Sequence, residues 1–249
     1  MLRSFIRLNK RASAALDSIL PAEFSADGNA YFHTMVPPLV QEGLVVYDLG
    51  GGSRPLFSAE DKKRARLTVV GLDLSQDELD AAPQGSYDRA IAADLTTFRG
   101  EGDADLVICQ ATLEHVADTN GALAAIASCL KPGGVAAIFV PCRNAWFARL
   151  NLMLPQRIKE RLLFTLIPEK ADGHEGFPAY YNRCTPKEFA RMAASHGMSV
   201  ETQRLFWKSS YFSIFVPLYA VWRLWTLLGR YVIGRQACET FAMILRKAA

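Results

Sequence analysis

The stretch Val-Val-Tyr-Asp-Leu-Gly-Gly-Gly-Ser-Arg-Pro at 45–55 constrains the fold more than any other part of the chain. β-favouring residues lead to Asp48 and then to three consecutive glycines, Gly50, Gly51 and Gly52. That order reads as a buried strand breaking into a tight turn, where backbone comes close to a ligand. A chain of 249 residues, 50% hydrophobic and 21% charged, suits one α/β domain with a large core around such a turn. The five cysteines, at 109, 129, 142, 184 and 238, contain no C-x-x-C pair, so reduced core residues are expected rather than disulfides or zinc ligands, which favours a cytoplasmic setting. The first eleven residues lack an apolar run followed by a small-residue cleavage site, and no stretch reaches the ~18 charge-free apolar residues of a spanning helix. Neither export nor a full span is expected.

Downstream of the turn, strands alternate with helices. Strands are expected at 44–49, 67–72, 88–92 and 105–110, then a helix over 119–130, the turn Leu-Lys-Pro-Gly-Gly at 130–134, and a fifth strand from Val135. Ser75 and Glu78 have the spacing of a capping box. This alternation implies a parallel sheet covered on both faces, with a ligand at the carboxyl ends of the strands, where Gly50, Asp73, Asp94 and Gln110 would converge.

A dinucleotide fingerprint needs a small third residue, and here Pro55 stands in that place. Asp48, two residues before the first glycine, suits a cationic ligand better than a pyrophosphate. Asp73, at the end of the second strand, is placed to accept hydrogen bonds from two ribose hydroxyls. A sulfonium nucleoside satisfies all three conditions.

The motifs DLGGGSRP, VVGLDLS, AADL, DLVICQATLEHVAD and LKPGGVAAIFVP, in this order, resemble those of class I S-adenosylmethionine-dependent methyltransferases, particularly the branch with L-E-H after strand four. The resemblance implies a Rossmann-like, mostly parallel seven-stranded sheet with helices on both faces and an antiparallel last strand. It also implies that Asp48 and Gly50 to Gly52 line the methionine part of S-adenosyl-L-methionine, Asp73 with Leu74 the ribose side, Asp94 and Leu95 the adenine edge, and that Gln110 lies near the sulfonium. The chain then divides into N-terminal amphipathic or lid helices (1–43), a cofactor core (44–142), a substrate-cover insertion (143–184), and a last helix and strands (185–249) carrying an apolar insertion at 208–234.

Methyl transfer is an in-line displacement, so the protein mainly aligns and desolvates the nucleophile. If the acceptor is a hydroxyl, His115, His174 and Tyr180 or Tyr181 are the base candidates, with His33 as a gate residue. No constellation at metal-ligand spacing is evident, so no metal is expected.

Charge is uneven. Residues 1–11, 143–170 and 204–249 hold 17 Lys/Arg against 3 Asp/Glu, while the rest holds 11 against 22. Residues 2–20 read as a helix with Arg3, Arg7, Lys10 and Arg11 on one arc and Leu2, Phe5, Ile6, Leu8, Leu16, Ile19 and Leu20 opposite. It suits either an anionic membrane interface or a lid. A second helix is expected from Tyr31 to Glu42, interrupted by Pro37-Pro38. Residues 209–222 carry no charge, and a helix after Pro217 would be apolar all round except for Arg223, Thr226 and Arg230. Lys208, Arg223 and Arg230 beside Trp222 and Trp225 fit an interfacial anchor better than a core helix, with a homodimer interface as the alternative. Nucleic acid fits poorly, because the basic residues are interleaved with bulky aliphatics.

The expected function is O-methylation of a lipid-linked or lipophilic acceptor by a protein held peripherally at the cytoplasmic face of a membrane. A sugar hydroxyl on a membrane-linked glycan comes first, because FPAYYNRCTPKEF and the two apolar insertions resemble bacterial envelope-glycan methyltransferases. A small hydrophobic ring, such as a quinone precursor or polyketide, is the alternative. A non-catalytic cofactor-binding scaffold is the reading from another class.

Overall fold

The computed structural model describes residues 2–154, 178–208 and 212–249. Among these, seven strands form one sheet: β1 Val45–Leu49, β2 Thr68–Asp73, β3 Arg89–Ala92, β4 Ala104–Gln110, β5 Leu130–Pro141, β6 Met198–Phe206 and β7 Thr240–Lys247. Their order is β3-β2-β1-β4-β5-β7-β6, and β7 alone runs antiparallel to its neighbours. The carboxyl ends of β1, β2 and β4 therefore meet at one edge, and strand order reverses between β1 and β4, where open α/β sheets bind ligands.

Both faces of the sheet are covered, and the period-2 alternation shows how. Tyr47, Leu49, Val107, Cys109 and Ile138 point into one apolar cluster with α5 (Thr119–Cys129) and α7 (Pro186–Ser195). Val46, Leu106, Ile108, Ala137 and Phe139 point into the other, which includes Phe32 and Met35 of α2 (Gly28–Met35). Burial of this kind contributes roughly 1.5–3 kcal/mol per large aliphatic side chain. All five cysteines are free and buried.

Several boundaries differ from expectation for local reasons. α2 starts at Gly28 because the Asp27 carboxylate caps it, accepting from the Ala30 amide at 3.0 Å, and Pro37 then begins a 3-10 turn instead of continuing the helix. A short α3 (Ala59–Arg64), absent from the sequence reading, is closed by a capping box between Ser58 and Asp61. The 130–134 turn is drawn into β5, whose pairing with β4 slips between Ala104 and Leu106. Ser75 accepts from the Glu78 amide and caps α4 (Gln76–Asp80), but the Glu78 carboxylate takes the Ser53 hydroxyl at 2.7 Å instead of closing the box.

The largest correction concerns α1 (Leu2–Ser18) and α8 (Val216–Ile233). Of the expected polar stripe of α8, Arg223 and Thr226 are buried, together with Tyr219 and Trp222, while Arg230 is only partly so. α1 in turn buries Asn9, Ser13 and Asp17 against α8 and the residues just before it. Asp17 pairs with Arg223, accepts from the Tyr219 hydroxyl, and lies 2.8 Å from Arg223 Nε, while Arg223 also donates to the carbonyls of Trp207 and Phe24. Trp222 donates to Glu239 at 3.0 Å. Arg223 and Trp222 are thus seam residues and not interfacial anchors. Within the first insertion, α6 (Trp146–Met153) stacks Trp146 on Trp225 of α8, with ring centroids 6.4 Å apart. The basic-apolar helix expected after Pro155 lies outside the described residues.

Candidate functional site

At the carboxyl edge of β1, β2 and β4, a cleft of about 690 Å³ is lined by Asn29, His33, Asp48, residues 50–56, Asp73, Glu78, Gln110 and Ala111. The glycine turn forms its floor, and the space there is too tight for side chains. A Cβ on Gly50, whose φ is +79°, would stand 2.3 Å from Thr112, and one on Gly51 would stand 2.6 Å from the Tyr87 hydroxyl. Tyr87 also donates to the Gly52 carbonyl at 3.1 Å, so the turn is held from below by a residue far away in sequence.

Carboxylates surround the turn. Asp48 is buried and accepts from the Leu56 amide at 3.0 Å, yet no cation reaches it in the described residues. Burial pushes its pKa up to about 6; the Leu56 amide draws it down, and the negative charge of Asp73 adds to the rise. Asp73 is also raised by burial, opposed by the Ser75 amide, from which its Oδ1 accepts at 3.1 Å. Two carboxylates kept close at this desolvation cost are electrostatically ready for a cation.

The open end of the cleft is built from neutral groups. The Gln110 amide nitrogen donates to Asn29 Oδ1 at 2.7 Å and lies 3.4 Å from His33 Nε2. Where the Gln110 amide nitrogen is the donor of this contact, His33 Nε2 accepts. Ala111, the next residue, is held at φ +52°, in the left-handed region that costs a non-glycine residue of order 1–3 kcal/mol.

The structure gathers Asp48, Gly50, Gly51, Gly52, Asp73 and Gln110 around this cleft. Among the described residues, Leu74, Asp94, Leu95, His115 and Tyr180 are not in its lining. Leu74 is exposed beside Asp73. The Asp94 carboxylate accepts from both the amide and the hydroxyl of Thr96, closing its own turn, and Leu95 is buried in the core. His115 sits on the 3-10 turn Leu113–His115, its Nδ1 3.2 Å from the Pro178 carbonyl, and Tyr180 is exposed on the segment that crosses this turn. That segment is tied down where the Tyr180 and Tyr181 amides both donate to the Glu114 carbonyl. Glu114 itself is buried, with Oε2 unpartnered among the described residues, and burial pushes its pKa up to about 8. His174 lies outside the described residues.

Asn29, Glu78 and Arg54 line the cleft without having been anticipated, and His33 reaches its lining rather than only a gate. The Asp27 cap was the available signal for Asn29, because it moves the helix start and puts residues 29 and 33 on one face, one turn apart. Among the described residues, no group of three or more His, Cys, Asp or Glu side chains could hold a metal ion.

A doubly wound sheet with a glycine cradle at β1 and an acid at the end of β2 defines a class I methyltransferase architecture. Comparisons with known proteins agree. A family model described as "Methyltransferase domain" matches residues 47–138. The ubiquinone biosynthesis O-methyltransferase of Cupriavidus pinatubonensis is 29% identical over 169 residues, 65% of this chain and 63% of that protein. The protein of the same name from Thiobacillus denitrificans is 31% identical over 166 residues, 64% of this chain and 66% of that protein. The matches thus span a little under two thirds of these relatives' length. In structure, an S-adenosylmethionine-dependent methyltransferase from Mesorhizobium loti superposes with a TM-score of 0.54 at 17% identity, covering 88% of this chain and 96% of that one. A geranyl diphosphate C-methyltransferase from Streptomyces coelicolor, solved with S-adenosyl-L-homocysteine, gives 0.57 at 14% identity over 88% and 76% of the two chains. Residues 47–138 thus match a methyltransferase domain, and the sheet around them has the Rossmann-like fold of S-adenosylmethionine-dependent methyltransferases. The residues present fit that cofactor: only glycine fits the turn at Gly50 and Gly51, which line the cleft with bare backbone, and Asp48 places there a buried carboxylate that no cation meets among the described residues.

Proposed function

We propose that this protein transfers a methyl group to a hydroxyl of a lipophilic acceptor. The observation that carries the reading is the His33–Gln110–Asn29 group at the open end of the glycine-lined cleft. Bound there, S-adenosylmethionine supplies a methyl group already activated by its sulfonium. The chain's own residues have three tasks. Asp48 and the glycine turn fix the charged end of the donor, and Asp73 accepts from ribose hydroxyls. Gln110 and Asn29 orient the ring of His33. An incoming hydroxyl would displace the long 3.4 Å Gln110 contact at His33 Nε2 and pass its proton to that nitrogen, a contribution of typically 10²–10⁴-fold in rate.

For the acceptor, the relatives named ubiquinone biosynthesis O-methyltransferase favour a hydroxyl on a hydrophobic ring. A sugar hydroxyl on a membrane-linked glycan is the second reading, favoured by the exposed Tyr180 on the segment crossing the Leu-Glu-His turn, where Tyr180 and His115 would contact a bulky polar acceptor. The Mesorhizobium and Streptomyces structures support the fold and not the acceptor.

The test is incubation with methyl-labelled S-adenosylmethionine and a detergent-solubilised membrane extract, followed by mass spectrometry of the labelled fraction. A labelled ring lipid supports the first acceptor and a labelled glycolipid the second. Cofactor binding with no label transferred to any fraction would replace both with a scaffold role. Substituting His33→Ala should lower kcat by about 100-fold with cofactor affinity unchanged; an unaltered kcat removes His33 from the reaction.

A further inference from the structure

α1 and α8 bury polar groups against each other, and together with α6 they expose many large apolar side chains. Sixteen large hydrophobic side chains are exposed among the described residues, and fourteen of them lie on these three helices or next to their ends. α8 alone exposes Leu218, Val221, Leu224, Leu228, Tyr231 and Val232, while its buried face carries Arg223 and Thr226. On α1, Phe5 and Leu8 face out, as does Ile19 just past its end, and Asn9, Ser13 and Asp17 face in. A helix pair in water does the reverse. Two helices that satisfy each other's polar groups and turn their aliphatics outward are arranged for an apolar surrounding.

Charge says which one. α1 exposes Arg7, Lys10 and Arg11, and α6 exposes Arg149. Asp17 is the only acid on the three helices, and it is buried on Arg223. A second copy meeting this face would set like charges against each other, whereas an anionic headgroup layer is complementary to it. No helix among the described residues is long and apolar enough to cross a membrane, so the helices would lie in the interface plane. Between α6 and α8, a cavity of about 280 Å³ lined by Arg149, Trp225, Leu228, Val232 and Ile233 leaves room for the end of a hydrocarbon chain.

We infer that α1, α6 and α8 form a docking face for an anionic lipid bilayer, with the exposed aliphatics in the acyl boundary and Arg7, Lys10, Arg11 and Arg149 among the phosphates. The face is joined to the cleft. The 3-10 turn after α1 contains Phe24, whose carbonyl accepts from Arg223, and the chain then enters α2, which carries Asn29 and His33. A docked protein would therefore hold its cleft beside the bilayer from which a lipophilic acceptor comes. This extends the acceptor reading above, but docking is measured without turnover.

Flotation of the full chain with phosphatidylcholine vesicles, with and without phosphatidylglycerol, tests it. The protein should float with the anionic vesicles and bind the neutral ones about tenfold or more weakly. A Leu224→Glu/Leu228→Glu variant, altered only at exposed positions, should stop floating while keeping its circular dichroism and its cofactor affinity. Replacing Arg7, Lys10 and Arg11 together by Gln should reduce anionic binding to the neutral level. Wild-type protein that stays at the bottom of both gradients overturns the inference, as does a Leu224→Glu/Leu228→Glu variant that floats like wild type. A dimer that the same variant dissociates, without flotation, would assign the face to a second copy. Label transfer to detergent-solubilised extract is independent of docking, so failure of one does not read as failure of the other.

Discussion

Asp48 and Asp17 are both buried carboxylates, 4% and 7% exposed, but they sit in opposite electrostatic settings. Asp17 is met by the Arg223 guanidinium and the Tyr219 hydroxyl, which between them fill its Oδ1. Asp48 receives one backbone amide and no cation, and its pKa rises to about 6. The seam between α1 and α8 settles its charges internally, as a structural joint must. The glycine cleft leaves its charge unsettled, as a site awaiting a cationic ligand does. One region is closed and the other held open by the same kind of residue.

Breaking the seam should have the largest effect. Asp17→Ala strands a buried guanidinium and should cost about 3–5 kcal/mol in denaturant unfolding, with little change in cofactor affinity once the protein is folded. A cost below about 1 kcal/mol would mean the seam is not a joint. Asp73→Ala should weaken S-adenosylmethionine binding about 100-fold, equivalent to two charge-assisted hydrogen bonds, when measured by calorimetry. Unchanged affinity would move the ribose contact elsewhere.

Asp48→Asn sharpens the contrast, because its effects on stability and binding should have opposite signs. At pH 7 the ionised carboxylate carries a burial penalty, so the variant should be more stable by about 1–3 kcal/mol in the absence of cofactor, while binding the cofactor more weakly. A loss of stability as large as that of Asp17→Ala would mean Asp48 is structural. The pH dependence is the mildest test. The folded pKa of Asp48 is raised from its ordinary value, so its contribution to stability is full below about pH 4 and is lost as pH rises through about 6. Cofactor affinity should run the other way, falling by up to about tenfold per unit as pH drops below about 6, and an affinity flat from pH 5 to 7 would remove Asp48 from contact with the cationic end.

The two regions also differ in how far they could be read from sequence. The cleft floor is local: a strand, an acid and three glycines occupy eleven residues, and Asp73 follows from a second short motif, so the sheet and this half of the site were legible. What was missed there arrives from a distance. Tyr87 supports the turn through the Gly52 carbonyl, and Glu78, given to a capping box by its spacing, turns to Ser53. Asn29 was missed because the Asp27 cap moves the start of α2 from the expected Tyr31 back to Gly28, just under one turn.

In the helix pair, periodicity separated a basic arc of α1 from an apolar one but assigned the buried Asn9, Ser13 and Asp17 to neither. Asn9, Ser13 and Asp17 form a stripe whose purpose shows only when Arg223, more than two hundred residues away in the chain, is laid across it. A helical wheel carries no information about the partner, and here the partner buries a stripe of polar residues.

The five buried cysteines have a practical use that has nothing to do with catalysis. Burial pushes the thiols of Cys109, Cys129, Cys184 and Cys238 well up, so the folded chain holds almost no thiolate at those positions. The protein therefore carries its own clock: the rate at which a thiol reagent modifies these sulfurs reports how often each part of the sheet opens, with no label added.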